Sequence, residues 1–179
     1  MITILRLGHR IERDKRITTH CGLVARALLA DRFILCGEKD ESILESLRSV
    51  TKKWGGKFKV SYEPKPQSFL KRQKRALKIH LTFYGEDFEK KIPKIKPQSK
   101  GKSVIVIIGS EKVPTDVYYL VDYNLSVTRQ PHSEVAALAL FLDRWNHGQE
   151  LSEAKQKRAF KNAKVQIVPQ AKGKHVIKR

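Results

Sequence analysis

Residues 103–114 (SVIVIIGSEKVP) form an apolar run that stops at a glycine followed by small and charged residues. Val104–Ile108 are all β-branched and show no apolar–polar alternation, which is the pattern of a strand covered on both faces; such strands belong mostly to parallel α/β sheets. Ligands bind these sheets beyond the carboxyl ends of the strands, so Gly109, Ser110, Glu111 and Lys112 mark an expected binding turn. A second unit of the same kind follows. Residues 123–127 read as a strand and lead into TRQPHSEVAALALFL, where Pro131 and Ser133 precede a helix carrying Glu134 in its first turn.

The same reading extends along the chain. Residues 2–7 alternate as a first strand ending at Gly8, and residues 21–30 are an apolar helix interrupted by Arg26. Residues 33–36 are a second strand. Asp40 opens a helix through Trp54 with Ile43, Leu44, Leu47 and Val50 at helical spacing, stopped by Gly55 and Gly56. Residues 58–62 are a third strand, Pro66 starts a basic helix, and residues 77–84 (LKIHLTFY) are a fourth strand ending at Gly85. Residues 133–147 predict a long helix for the core or a subunit interface, residues 150–161 a short basic helix, and the end of the chain a β-hairpin turning at Ala171, Lys172 and Gly173. Alternating strands and helices predict an α/β fold with a mostly parallel sheet and helices on both faces. The expected division is one α/β domain over residues 1–161 and a hairpin extension over 162–179.

Between the first strand and the first helix, GHRIERDKRITTH sets Arg10, Arg13, Lys15 and Arg16 in what reads as a loop closed by Thr18, Thr19 and His20. It is either a phosphate-contacting loop or a solvated turn with Thr19 as a helix cap. Residues 93–102 (PKIKPQSKGK) read as a mobile, proline-broken connection. The net charge of +19 points to a polyanion, nucleic acid or an acidic membrane surface. That charge is clustered, because residues 52–102 hold sixteen of the thirty-seven lysines and arginines against four acidic residues. Lys71, Arg72, Lys74 and Arg75 are the candidate RNA contacts of this stretch, beside Arg10 and Arg13. No run is long and apolar enough for a bilayer and no signal segment opens the chain, so the expectation is a cytoplasmic protein without a membrane partner. Cys21 and Cys36 lack metal-ligand spacing and read as small core residues.

Neither a P-loop nor GxGxxG follows any strand, and GxSxG and zinc-ligand spacings are missing. A group-transfer cofactor fits better than hydrolysis or metal chemistry, because a carrier with its own reactive centre needs chiefly orientation. Alignment of two reactants alone removes roughly 7 to 11 kcal/mol of barrier.

RLGHRIERDKRITTH, KIHLTFYG, VIVIIGSEKVP and QPHSEVAAL, in that order and at these spacings, resemble the archaeal tRNA (cytidine 2'-O)-methyltransferase family that modifies cytidine 56 of the T-loop, a branch of the SPOUT superfamily. The similarity spans Arg6 to Leu138, and the terminal VPQAKGK shares it. The resemblance implies a C-terminal trefoil knot, a homodimer, and S-adenosyl-L-methionine held by three loops: Leu81; Gly109, Ser110, Glu111, Lys112 and Val113; and Val127, Thr128, Arg129, Gln130, Pro131, His132, Ser133 and Glu134. The family usually has Gly-Asn where this chain has Thr128 and Arg129. The first SPOUT motif is an asparagine followed six residues later by an arginine, positions held here by His20 and Arg26. It implies Arg26, acting on the cofactor of its own or of the partner subunit, as the cation that stabilises an alkoxide-like 2'-oxygen, with Arg16 second; the plainer alternative for Arg26 is a structural interface pair. Glu134 reads either as a proton acceptor with His132 or as a group satisfying first-turn amides. A non-catalytic RNA-binding protein, or a SPOUT methyltransferase acting elsewhere on RNA, remains compatible with the charge.

Overall fold

The structure, a computed structural model, describes residues 1–109 and 113–179. Six strands form one sheet, all parallel, in the order β3-β2-β1-β5-β4-β6. They are β1 (Ile2–His9), β2 (Arg32–Gly37), β3 (Lys59–Tyr62), β4 (Leu77–Asp87), β5 (Val104–Ile108) and β6 (Tyr123–Ser126). Helices α1 (Ile11–Ala27), α2 (Glu41–Trp54), α4 (Phe88–Ile95) and α6 (Glu134–Asn146) pack on one face, and α3 (Pro66–Arg72) and α5 (Val117–Leu120) on the other. The short α7 (Glu153–Ala159) precedes an antiparallel hairpin of β7 (Val165–Val168) and β8 (His175–Lys178), separate from the main sheet.

The missing alternation in β5 has its expected cause. Val104, Val106 and Ile108 enter the core under α1, α4 and α6, whereas Ile105 and Ile107 enter the core under α3 and α5; all five are buried. Asp40 caps α2 by accepting the Ser42 and Ile43 amides at 3.0 and 3.3 Å. Cys21 and Cys36 are unpaired core residues, and burial pushes both thiols up to about 12.

Two expected loops are helical. The basic segment after β1 is the first half of α1, which starts at Ile11 rather than near residue 21. Its buried stripe is Asp14, Thr18, Cys21, Gly22, Ala25 and Arg26, spaced for a helix but made of small or polar residues, so no apolar period announces it. Thr19, expected as a cap, lies inside this helix and donates its hydroxyl to the Lys15 carbonyl at 2.8 Å. Residues 93–102, expected to be a mobile connection, instead contain the end of α4 and a 3-10 turn (Lys96–Ser99). Phe88, Ile92 and Ile95 bury one side of α4 beneath its lysines. Gly8 does not end β1: it takes φ +65° in a bulge and the strand resumes at His9.

Candidate active site

The carboxyl ends of β4, β5 and β6 open into a cavity of about 350 Å³ with walls from Leu81, Ile108, Val113, Val127 and Ala137. Its floor is Gly109, where a β-carbon would come within 2.0 Å of Val113 Cγ2. In β4, Leu81 and Glu86 both stand opposite Leu125 of β6, so residues 82–85 are pushed out as a lip. Gly85 permits this excursion, because a β-carbon there would meet the Leu125 backbone at 2.5 Å. The lip carries Phe83, whose ring meets His132 edge-on at 5.0 Å, and Tyr84, which is 84% exposed.

Two polar arrangements stiffen the pocket. Arg6, fully buried in β1, pairs with Glu134 at 2.7 Å, linking the sheet to the first turn of α6. Ser133, not Glu134, caps that helix, accepting the Val135 amide at 3.1 Å. The expectation that Glu134 satisfies first-turn amides thus gives way to an ion pair. The second arrangement starts at Asn124 of β6, whose Nδ2 donates to the Tyr118 carbonyl at 2.9 Å, turning its Oδ1 toward His80. Nδ1–H of the fully buried His80 donates to that oxygen at 3.0 Å, which leaves Nε2 as a bare acceptor with no partner among the described residues. Burial holds this imidazole below its ordinary pKa and therefore neutral. The Tyr118 ring meets His80 edge-on at 4.8 Å, and its hydroxyl lies 3.4 Å from Thr82 Oγ1.

Of the residues expected from sequence, Leu81, Gly109, Val113, Val127, His132 and Glu134 line this one cavity. Thr128 and Arg129 line a neighbouring depression with Asp87 and Lys90. Gln130 donates its amide to Thr128 Oγ1 at 3.3 Å, and its carbonyl faces His132 Nδ1 at 2.8 Å. Pro131 is exposed in the same loop. Ser110, Glu111 and Lys112 lie outside the described residues. Arg10, Arg13 and Arg16 sit at the start of α1, on the sheet edge that holds the pocket, where Arg13 and Asp14 pair at 2.7 Å. Lys71, Arg72, Lys74 and Arg75 are exposed at the end of α3 and in the turn after it; Arg72 reaches Glu63 at 3.5 Å.

Arg26 is elsewhere. It occupies the last turn of α1, fifteen residues and therefore about 22 Å along the helix from Ile11. Its Nη2 donates to the Gly55 carbonyl at 2.7 Å and its guanidinium lies 4.6 Å from the centre of the Phe160 ring. The structure does not bring it to the cavity. Arg6, His80, Thr82 and Tyr118 escaped the sequence reading as site residues, although His80 and Thr82 stand in the KIHLTFYG segment that carried the resemblance.

The family model described as tRNA ribose 2'-O-methyltransferase, aTrm56, matches residues 54–177. The chain belongs to this family. Among its relatives is the protein of Thermococcus kodakarensis named tRNA (cytidine(56)-2'-O)-methyltransferase, 49% identical over 179 residues that cover 99% of this chain and 97% of the relative. The protein of that name from Methanocaldococcus jannaschii is 47% identical over 99% of this chain and 97% of its own length. Solved structures share the fold at low identity. The SpoU methyltransferase AviRb from Streptomyces viridochromogenes, in complex with AdoMet, superposes with a TM-score of 0.58 at 14% identity over 83% of this chain and 57% of AviRb. A TrmH/SpoU tRNA modifying enzyme from A. aeolicus gives 0.56 at 11% identity over 88% and 84% of the two chains. The chain thus has a sheet of the kind shared with these SpoU/TrmH structures, with its glycine-floored pocket at the carboxyl ends of the strands.

Proposed function

We infer that the chain transfers a methyl group from S-adenosyl-L-methionine to the ribose 2'-hydroxyl of cytidine 56 in tRNA. The observation that carries this reading is the cavity at Gly109. Its volume lies within the roughly 300 to 1,000 Å³ of small-molecule sites, its walls are aliphatic with a few convergent polar groups, and its floor is a position a side chain would fill. On this reading Leu81, Val113, Val127 and Ala137 enclose the cofactor, and the fixed acceptor His80 Nε2 favours an N–H donor beside it. When bound, the sulfonium supplies an electrophilic methyl group.

The chain's own task is to orient a poor nucleophile and stabilise the charge that grows on its oxygen. Arg16 now stands first for that cation, because it is exposed, whereas the Arg26 guanidinium is held by the Gly55 carbonyl and the Phe160 ring. Arg16 is exposed and does not line the cavity of its own chain, so it would reach the ribose across a homodimer. Arg26 serves as a structural pair. The loops after β4, β5 and β6 would be those of the trefoil knot, a reading supported by β4 pairing with both β5 and β6.

The test is incubation with unmodified tRNA transcript and methyl-labelled S-adenosylmethionine, followed by nucleoside analysis. Labelled 2'-O-methylcytidine from the T-loop is expected. No transfer despite tRNA binding would refute the enzyme reading, and label on a base or another nucleotide would refute the assigned position.

A further inference from the structure

A second concavity, larger than the cofactor pocket, lies elsewhere among the described residues. It is a groove of about 1,070 Å³ at the opposite, amino-terminal edge of the sheet, between the ends of α1 and α2 and the α7 segment. Seven basic residues line it against a single acid, Asp31. Lys52, Lys57, Lys155, Arg158 and Lys161 are exposed, and none of the five forms an ion pair among the described residues. Arg48 pairs with Glu41 at 2.8 Å, and Arg26 forms part of the wall, with its Nε left without a partner among the described residues. The single acid is already engaged, since the Asp31 carboxylate accepts the Ile2 amide at 2.6 Å.

The groove is also built rigidly. Gly55 has φ +78°, and a β-carbon there would lie 2.6 Å from the Lys161 carbonyl oxygen, so the C-terminal segment packs directly on the end of α2. Backbone bonds from Gly56 to Lys161 at 3.1 Å and from Lys164 to Lys53 at 2.9 Å close the two walls together. Cations repelling one another in a fixed concavity are stabilised by a polyanion, and release of its condensed counterions favours the contact.

We propose that this groove is a second RNA-contact site, which seats the phosphate backbone of tRNA remote from the methylated nucleotide. The identity of the polyanion rests on the tRNA reading above. α1 runs about 25 Å from the sheet edge that holds the pocket to the edge that holds the groove, a separation a folded tRNA bridges. The basic residues of α3 are then secondary, and the substrate is held at two ends of one sheet.

The test neutralises Lys52→Gln, Lys57→Gln, Arg158→Gln and Lys161→Gln together and titrates the full-length protein with tRNA transcript at several salt concentrations. We expect about tenfold or greater loss of affinity and a log K against log salt slope shallower by about three, from roughly 0.7 to 0.9 per lost contact. At saturating tRNA the transfer rate stays unchanged while KM for tRNA rises, and S-adenosylmethionine affinity by calorimetry stays within about twofold, which also reports an intact fold. An unchanged slope overturns the proposal. So does an equal loss from a control that neutralises the exposed Lys100, Lys102, Lys172 and Lys174 instead. If the fourfold variant does not fold, the single reversals Lys57→Glu and Lys161→Glu carry the same titration. Failure of the wild-type protein to transfer methyl would sink the enzyme reading and leave the tRNA titration, and with it the groove, to be decided separately.

Discussion

Adding one methyl group to the pocket floor tests the cofactor assignment most directly. Gly109 is not among the glycines with positive φ, so Gly109→Ala meets no backbone strain and acts by space alone. The new Cβ would stand 2.0 Å from Val113 Cγ2, against about 3.5 to 4.0 Å for an ordinary carbon–carbon contact. One of the two groups must therefore move by more than 1 Å, and Val113 is a wall of the same cavity. Overpacking of this kind costs about 1 to 3 kcal/mol. If the displaced Val113 closes on the cofactor, the loss appears in affinity, where about 1.4 kcal/mol is tenfold. Gly109→Ala should weaken S-adenosylmethionine binding by about tenfold to a hundredfold by calorimetry, with tRNA affinity nearly intact. Trimming the neighbour should reverse this. The next Val113 atom, Cβ, lies 3.6 Å away, so Gly109→Ala/Val113→Ala removes the overlap and should recover most of the lost affinity. Wild-type cofactor affinity in the single variant would move the binding site elsewhere, and a double variant as weak as the single one would refute the steric explanation.

Glu134→Ala leaves the Arg6 guanidinium fully buried without its counter-charge, so stability in urea should fall by about 3 to 5 kcal/mol. Arg6→Met/Glu134→Leu should cost less than that single change, and equal losses would show that the pair does not couple. Burial lowers the pKa of both His9 and His80 in the folded chain, so the unfolded chain takes up protons first. Stability should be full above the ordinary imidazole pKa near 6.5 and decline as pH falls below it toward the folded values. Asp14, depressed chiefly by its hydrogen bond from Arg13, contributes only near and below the carboxylate range. A flat melting temperature from pH 8 to pH 5 would contradict this. Arg26→Met removes the hydrogen bond to Gly55 and the cation–π contact with Phe160; it should lower stability by about 1 to 3 kcal/mol and free the α7 segment to proteolysis. Methyl transfer by the remaining folded protein should persist, and complete loss of turnover with unchanged cofactor and tRNA binding would restore Arg26 as a catalytic residue.

What the sequence showed and hid follows from where side chains point. β5 was legible because burial on both faces writes itself as an uninterrupted β-branched run. The start of α1 was hidden because its inward stripe includes Asp14 and Thr18, and these are satisfied by the neighbouring Arg13 and by His9 of β1 rather than by apolar packing. α4 was hidden by Pro93 and by the lysines on its outer side. The pocket loops were legible from the turns after the strands. The His80 acceptor was not, because Asn124, which fixes its tautomer, lies forty-four residues away. Arg26 stands six residues after His20, as the motif spacing asks, and in this fold that position is the last turn of α1, remote from the cavity of its own chain.

The two ends of that helix explain how one small domain can serve a large substrate. α1 packs against α6, and both cross the sheet from the pocket edge to the groove edge. At the pocket edge, Arg6–Glu134 ties the first turn of α6 to β1. At the other edge, Arg26 ties the last turn of α1 to the end of α2 and to Phe160. Each buried arginine therefore fixes one end of a helix layer whose interior is close-packed and does not deform gradually. A phosphate contact in the groove is then held at a constant distance from the pocket floor. Binding energy gained remote from the reaction becomes positional accuracy at the 2'-hydroxyl, without a further charged group at the reacting centre.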